Sequence, residues 1–379
     1  MTRIVPLRGP AEELMPRIRS VREAGGVPLV GDERWPQAQW DSVCALVEEA
    51  RLPAGAAWAA LTSGSSGAPR VIVRSAESWG SSFPAVSALL GASAADRVFC
   101  PAPPSSSLTL FSVAHALEGG GPWPVFGRSA AGATCFHGTP QALRALLDAD
   151  EEPLTVRTAL VGGSHLDSAL RAAAEARGVR VVGYYGAAEL SFVAIDEGGG
   201  LRPFPGVDVE IRSGRLWVRS PYVSLGYLGQ PGPLRVEGDW ATVGDLAEVA
   251  DGVLSLRGRA DGAILTSSAT VIPEEVEIAL RALPGVKDAV VFGLPSPSVG
   301  QLVAALIEPD DGCAGDPGAG PDAGLDVATL RRSAAGVLGP ASRPRAWFFG
   351  RIPRTSAGKP ARAEALRRAL AAEGVRRAV

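Results

Sequence analysis

Leu61-Thr62-Ser63-Gly64-Ser65-Ser66-Gly67-Ala68-Pro69-Arg70 lies between an apolar run ending at Leu61 and the β-branched run Val71-Ile72-Val73. Two glycines among hydroxyl residues let the backbone approach an anion closely, and such a turn offers several N–H and O–H donors to phosphate oxygens. The stretch reads as a phosphate clamp made of Thr62, Ser63, Gly64, Ser65, Ser66 and Gly67, with Arg70 at its far end. A Ser/Gly stretch is also the ordinary composition of a surface turn, so the reading depends on motifs further along the chain. The loop of the common NTPases is excluded, because Gly67 precedes Ala68-Pro69 rather than Lys and Ser or Thr.

At 379 residues with 46% hydrophobic content and 20% charge, the chain has material for more than one buried core, and two domains are expected. A net charge of −3 gives no reason to expect nucleic acid or a membrane surface as partner. Cys44, Cys100, Cys135 and Cys313 show no CxxC spacing, and only His115, His137 and His165 could join them as soft ligands, so no structural zinc is expected. The first residues hold no apolar signal core and no run reaches the length of a membrane span. A soluble cytoplasmic protein with a small-molecule partner is the expectation.

Apolar residues recurring at three and four predict amphipathic helices over 11–24 and 36–50, ahead of the first strand. Beyond the clamp, Ser75 caps a helix predicted to run to about Leu90, followed by a strand over 97–101 and a helix over 108–117. Helices over 140–149 and 166–177 alternate with strands over 156–161 and 179–184. That alternation predicts an α/β layered domain whose ligands sit outside the carboxyl ends of the strands. Gly162-Gly163-Ser164 and Tyr185-Gly186-Ala187-Ala188-Glu189 are then turns facing one pocket with the clamp. Residues 208–256 read as short alternating strands, and Arg257-Gly258-Arg259-Ala260-Asp261-Gly262 as a linker. A compact α+β unit comes next, with a helix from Pro273, strands over 289–294 and 302–308, a helix over 327–338 and a strand near Trp347. Residues 308–326, rich in Gly, Asp, Pro and Ala, read as a surface loop.

The clamp, Tyr185-Gly186 with Glu189, Gly244-Asp245, Gly258-Arg259-Ala260-Asp261 and Pro353-Arg354-Thr355-Ser356-Ala357-Gly358-Lys359 occur in a diagnostic order. The chain resembles the acyl-adenylate-forming superfamily of acyl-CoA synthetases, peptide-synthetase adenylation domains and luciferases over roughly residues 55–370. Ala260-Asp261-Gly262-Ala263-Ile264 and Val271-Ile272-Pro273 look most like short bacterial o-succinylbenzoate-CoA ligases. The resemblance implies a large N-terminal α/β domain over 1–258 with a shortened N-terminus, a hinge over 259–262 at Asp261, and a small mobile α+β domain over 263–379.

The same resemblance implies ATP, Mg²⁺ and CoA as cofactors and a small carboxylic acid as substrate. Glu189 would hold Mg²⁺, as a hard cation wants carboxylate oxygen. Tyr185 would stack near adenine, where Gly162 and Gly163 match the adenine-side turn and Gly186 belongs to the same motif. Asp245 would bind the ribose hydroxyls, with Arg259 near ribose and phosphate. Lys359, one of only two lysines, matches the residue whose compact ammonium touches carboxylate and phosphate as charge builds between them.

Departures qualify this pattern: Ala188 replaces the usual Thr, Arg70 the usual Lys, Leu265 a frequent Lys, and Ser267-Ser268 the glycine pair of the thiol tunnel. Pro103-Pro104-Ser105-Ser106-Ser107 stands where relatives often carry an aromatic or His beside the acid. The leading reading is therefore an AMP-forming acid-thiol ligase with CoA as acceptor. A carrier-protein thiol or nitrogen nucleophile is the alternative acceptor, and an inactive nucleotide-binding homologue the second alternative.

Overall fold

The computed structural model describes residues 2–62, 70–127, 129–149, 154–229, 231–259, 262–266, 270–296, 300–310, 327–355 and 358–378. Contacts divide the chain into two compact units. The first is Met1–Val243 with Glu248–Ser255 and Ser356–Lys359; the second is Gly244–Ala247 with Leu256–Thr355 and Pro360–Val379.

In the first unit, strands Ile4–Leu7, Val27–Val30, Ala56–Thr62, Arg70–Ser75 and Gly226–Leu228 form one sheet in that order. Helix Gln37–Glu49 covers it through Trp40, Val43 and Val47, which pack on Val27, Leu29, Ala59, Val71 and Val73. A second sheet runs in the order Arg202–Pro203, Ser191–Asp196, Arg180–Ala187, Thr158–Val161, Cys135–Gly138, Arg97–Phe99, Trp123–Val125. The last five of these strands are parallel. Helices Pro140–Asp148 and Ser168–Ala176 bury Leu143, Leu146, Leu170 and Ala174 against Phe136, Val161 and Val181. Helix Ser107–Glu118 contacts strands of both sheets, which is why every residue from Thr109 to His115 is buried rather than one stripe. A third, six-stranded sheet is built from Asp208–Arg212, Arg215–Arg219, Arg235–Glu237, Trp240–Thr242, Asp245–Ala250 and Val253–Arg259.

The second unit centres on a sheet ordered Val286–Ser296, Gly300–Pro309, Ala346–Gly350, Val375–Ala378. Alternation sorts its side chains by face. Ala289, Val291, Val303 and Ala305 meet helices Pro273–Arg281 and Val327–Val337 through Val276, Leu280, Leu330 and Ala334. Val290, Phe292, Ala304 and Leu306 meet helix Arg362–Ala371 through Ala365. Burying each large apolar side chain stabilises the fold by ~1.5–3 kcal/mol, so both faces need their helices.

The layered α/β architecture agrees with the sequence, with local corrections. Strands Ile4–Leu7 and Val27–Val30 stand before and after helix Ala11–Glu23, so the two N-terminal helices do not precede the first strand. Each strand has four residues with a proline inside, too short to show alternation, and they hold together by parallel pairing of Ile4 with Val27. The helix expected over 76–90 is two: Ala76–Gly80, capped by Ser75 accepting from the Ser78 N–H, and Phe83–Leu90. Pro84 fits only a first turn, so it starts the second helix. The strand expected to end at Tyr184 continues to Ala187, and the strand Val253–Arg259 occupies the first half of the expected linker.

Candidate active site

The clamp residues Ser63, Gly64, Ser65, Ser66 and Gly67 lie outside the described residues, but their flanks are fixed. Thr62 ends one strand, half-buried Arg70 opens the next, and the two are direct partners in an antiparallel ladder. Leu61 also bridges Ser106, which sets the stretch after strand Arg97–Phe99 beside the base of the hairpin.

Gly162 and Gly163 come directly after strand Thr158–Val161, as expected for a turn at its carboxyl end. Gly163 takes φ +88, a conformation that favours glycine. Lys359, exposed and grouped with the first unit, lies over this turn, and a Cβ on Gly163 would stand 2.9 Å from its Cε.

Tyr185 and Gly186 are not in a turn. They lie within strand Arg180–Ala187, which pairs back on Ser191–Asp196 with Gly186 opposite Phe192. A Cβ on Gly186 would stand 2.1 Å from the Ser191 carbonyl oxygen, so glycine is what lets this hairpin close. Glycine reads as a strand breaker in sequence, whereas here it serves close backbone approach.

Glu189 sits in the turn of that hairpin, 8% exposed, and accepts a 2.7 Å hydrogen bond from the Tyr227 hydroxyl. Tyr227 reaches it because strand Gly226–Leu228 pairs with Arg70–Ser75, Tyr227 opposite Ile72. Burial, and next the Glu189 charge, push the Tyr227 hydroxyl well above its ordinary value, so it donates. Arg74 of the neighbouring strand is fully buried and donates to the Tyr222 carbonyl at 2.7 Å and to the Ala188 carbonyl. Burial lowers the Arg74 guanidinium to about 9, and the Glu189 charge opposes that fall. The turn is thus held from behind by a guanidinium and from the side by a phenol. Sequence reading missed both residues: the only signal for Arg74 is a charge inside an apolar strand, and for Tyr227 the Gly226-Tyr227 pair in a short strand.

A magnesium ion beside nucleotide phosphates needs one or two protein carboxylates rather than a complete cage. Among the described residues no cluster of three or more His, Cys, Asp or Glu stands together. A single held carboxylate at Glu189 fits that requirement.

Asp245, half-buried, opens strand Asp245–Ala250 and groups with the second unit. Arg259 closes Val253–Arg259, while its side chain, Asp261, Ser267 and Ser268 lie outside the described residues. The residues flanking Lys359 on either side, which group with the second unit, are tied to each other. The Ala361 N–H donates to the Pro353 carbonyl at 2.8 Å, and Arg354 bridges Pro360. Arg354 pairs with Asp288 at 2.6 Å, and Arg362 with Glu277 at 2.8 Å and Glu274 at 2.9 Å. Burial would raise the Asp288 carboxyl, but Arg281 and Arg354 outweigh it and hold it below the usual range. Burial raises Glu277 despite Arg362 and Arg281.

These two units and their ordered motifs define an AMP-binding enzyme. The family's model matches residues 23–228 and that of its C-terminal domain matches 275–359, and the chain belongs to that family. It is 28% identical over 334 residues to a Bacillus subtilis protein named uncharacterized acyl-CoA ligase YhfT, covering 79% of this chain and 66% of that one. It is 34% identical over 235 residues to a probable 2-succinylbenzoate-CoA ligase of Mycobacterium tuberculosis, covering 60% and 56%. The chain thus matches less than two thirds of the length of either relative. An E. coli MenE variant with bound OSB-AMS superposes with a TM-score of 0.81 at 21% identity, over 97% of this chain and 87% of that one. No helix among the described residues is long and apolar enough to cross a membrane.

Proposed function

We propose that this protein is an ATP-dependent carboxylic acid ligase that forms an acyl-AMP and pyrophosphate, then passes the acyl group to CoA. The observation that carries the reading is the buried, doubly braced Glu189 turn at the carboxyl end of a parallel sheet, in a chain of the AMP-binding family.

The acid's carboxylate oxygen attacks the α-phosphorus of ATP, the bond to the pyrophosphate oxygen breaks, and negative charge accumulates on both partners. Lys359 supplies the point charge that touches carboxylate and phosphate together. Thr62, Ser63, Gly64, Ser65, Ser66, Gly67 and Arg70 hold the phosphates, Gly162, Gly163, Tyr185 and Gly186 the adenine side, and Asp245 and Arg259 the ribose. Glu189 would hold Mg²⁺, which would supply positive charge to offset that of the pyrophosphate. The second half-reaction places the thiol sulfur on the acyl carbon and releases AMP, after the small domain turns about Asp261.

The test is pyrophosphate release across aryl, acyl and amino acids, with and without CoA, with mass analysis of the product. Acid-dependent pyrophosphate and a CoA thioester are expected. Acyl-AMP accumulating without thioester favours the carrier-protein or nitrogen acceptor, a reading motivated by Ser267-Ser268. Replacing both serines by Gly then distinguishes a narrowed thiol tunnel from a different acceptor. No pyrophosphate with any acid overturns the ligase.

A further inference from the structure

In the second sheet the strand order reverses after Arg97–Phe99: the chain passes to Trp123–Val125 on one side, then crosses to Cys135–Gly138 on the other. Ligands of open α/β sheets take the crevice outside the carboxyl ends at such a point. Four polar side chains converge there. Cys100 comes directly after the first strand, Ser112 lies on the next helix, His137 on Cys135–Gly138 and Tyr184 on Arg180–Ala187. Ser112 Oγ lies 2.7 Å from His137 Nδ1, and the same hydroxyl opposes the rise that burial imposes on the Cys100 thiol. His137 Nε2 lies 3.0 Å from the Tyr184 hydroxyl.

To reach His137, Tyr184 passes over Gly162, directly beyond the carboxyl end of the strand between them, where a Cβ would stand 2.2 Å from the ring's Cζ. Gly162 therefore admits the phenol ring that links the strands on either side of Thr158–Val161. The bridge is braced from below: Phe192 lies 4.8 Å from the Tyr184 ring and 6.5 Å from His137, and Phe111 meets His137 edge-on at 6.2 Å. With both ring nitrogens engaged, and burial lowering the imidazole to about 3, His137 is neutral and offers a substrate no charge.

Resting on the ligase reading, we propose that the Tyr184–His137 bridge is the floor of the acid pocket, with Tyr184 the residue that limits the substrate to short, uncharged monocarboxylic acids. A longer chain must displace a ring that is hydrogen-bonded at its tip and packed on its underside. A second carboxylate would find no cation on the floor.

The test is calorimetric binding of acyl-sulfamoyl adenosines carrying acetyl, butanoyl, octanoyl, succinyl or benzoyl groups, with AMP as reference, to the full chain and to Tyr184→Ala and Tyr184→Phe. Circular dichroism melts verify folding. The native chain is expected to bind acetyl and butanoyl forms about tenfold or more tighter than octanoyl, succinyl and benzoyl forms. Tyr184→Ala should shrink or reverse the acetyl-to-octanoyl ratio by about tenfold, and Tyr184→Phe, which keeps the ring, should preserve it. Octanoyl or succinyl forms binding the native chain as tightly as acetyl, or a ratio unmoved by Tyr184→Ala, overturn the floor while leaving the ligase standing. Acyl forms binding no tighter than AMP overturn both.

Discussion

The loop 62–70 and the segment 353–361 are both closed at their feet, the first by a strand ladder running from Thr62–Arg70 back to Ala56–Ser75, the second by one backbone hydrogen bond and one bridge whose flanks are then tied down by side-chain ion pairs. A ladder of backbone hydrogen bonds has one register and carries no titratable group, so its loop starts from fixed coordinates. The Lys359 segment leans on Asp288, which also serves Arg281, and on Arg362, which is shared between Glu277 and Glu274. Shared partners can be re-apportioned without breaking the unit, at the cost of sensitivity to protons and salt. A fixed hairpin base and an adjustable lysine mount suit the different tasks proposed for them.

The largest effect should come from the mount's cargo. Lys359→Ala is expected to lower adenylation about 100-fold or more while ATP binding and melting temperature stay near native, because its charge acts mainly as the α-phosphorus is attacked. Wild-type pyrophosphate release from this variant would reduce Lys359 to an ordinary loop lysine.

The mount itself comes next. Asp288→Ala should destabilise the second unit by about 2 kcal/mol in urea unfolding, since two charge-assisted hydrogen bonds disappear from a largely buried site. Asp288 is held below its ordinary 3.8, so its contribution is full above that pH and fades as acid carries the pH through the folded value. Glu277, raised from 4.5, has the opposite sign, contributing in acid and fading as pH rises. Melts between pH 3 and 7 should therefore lose their Asp288 slope in the variant. An unchanged slope would show that the mount is no more proton-sensitive than the clamp.

On the clamp side, Glu189→Gln should raise the Mg²⁺ midpoint of pyrophosphate release by about tenfold, as an amide offers a hard cation one good oxygen. Tyr227→Phe should cost about 1 kcal/mol, roughly fivefold in the same titration, through loss of one hydrogen bond to that carboxylate. If the phenylalanine variant were as impaired as the glutamine one, Tyr227 would be more than a brace.

Much of this was legible in sequence because it rests on period and punctuation. The apolar runs of 71–73 and 289–294 and the helices expected over 140–149 and 166–177 appear in the structure near their expected places. Four-residue strands interrupted by Pro6 and Pro28 carry too little pattern to register. Arg362–Ala371, rich in arginine and alanine, buries only Ala365, so its apolar stripe is faint. Arg74 and the Tyr184–His137 bridge are legible only in three dimensions: each joins groups whose sequence separation says nothing of their meeting.

Arg74 also bears on the order of assembly. The two carbonyls it holds, on Ala188 and Tyr222, lie 114 and 148 residues further along the chain. Closing such long loops is entropically costly before any contact rewards it, so this guanidinium finds its partners after the local strands and helices have formed. A contact made that late belongs to the native side of the folding barrier. Arg74→Met should therefore speed unfolding in a stopped-flow chevron while leaving the refolding arm nearly unmoved. The residue acts as a latch on the finished first unit, fixing its lifetime rather than its speed of formation.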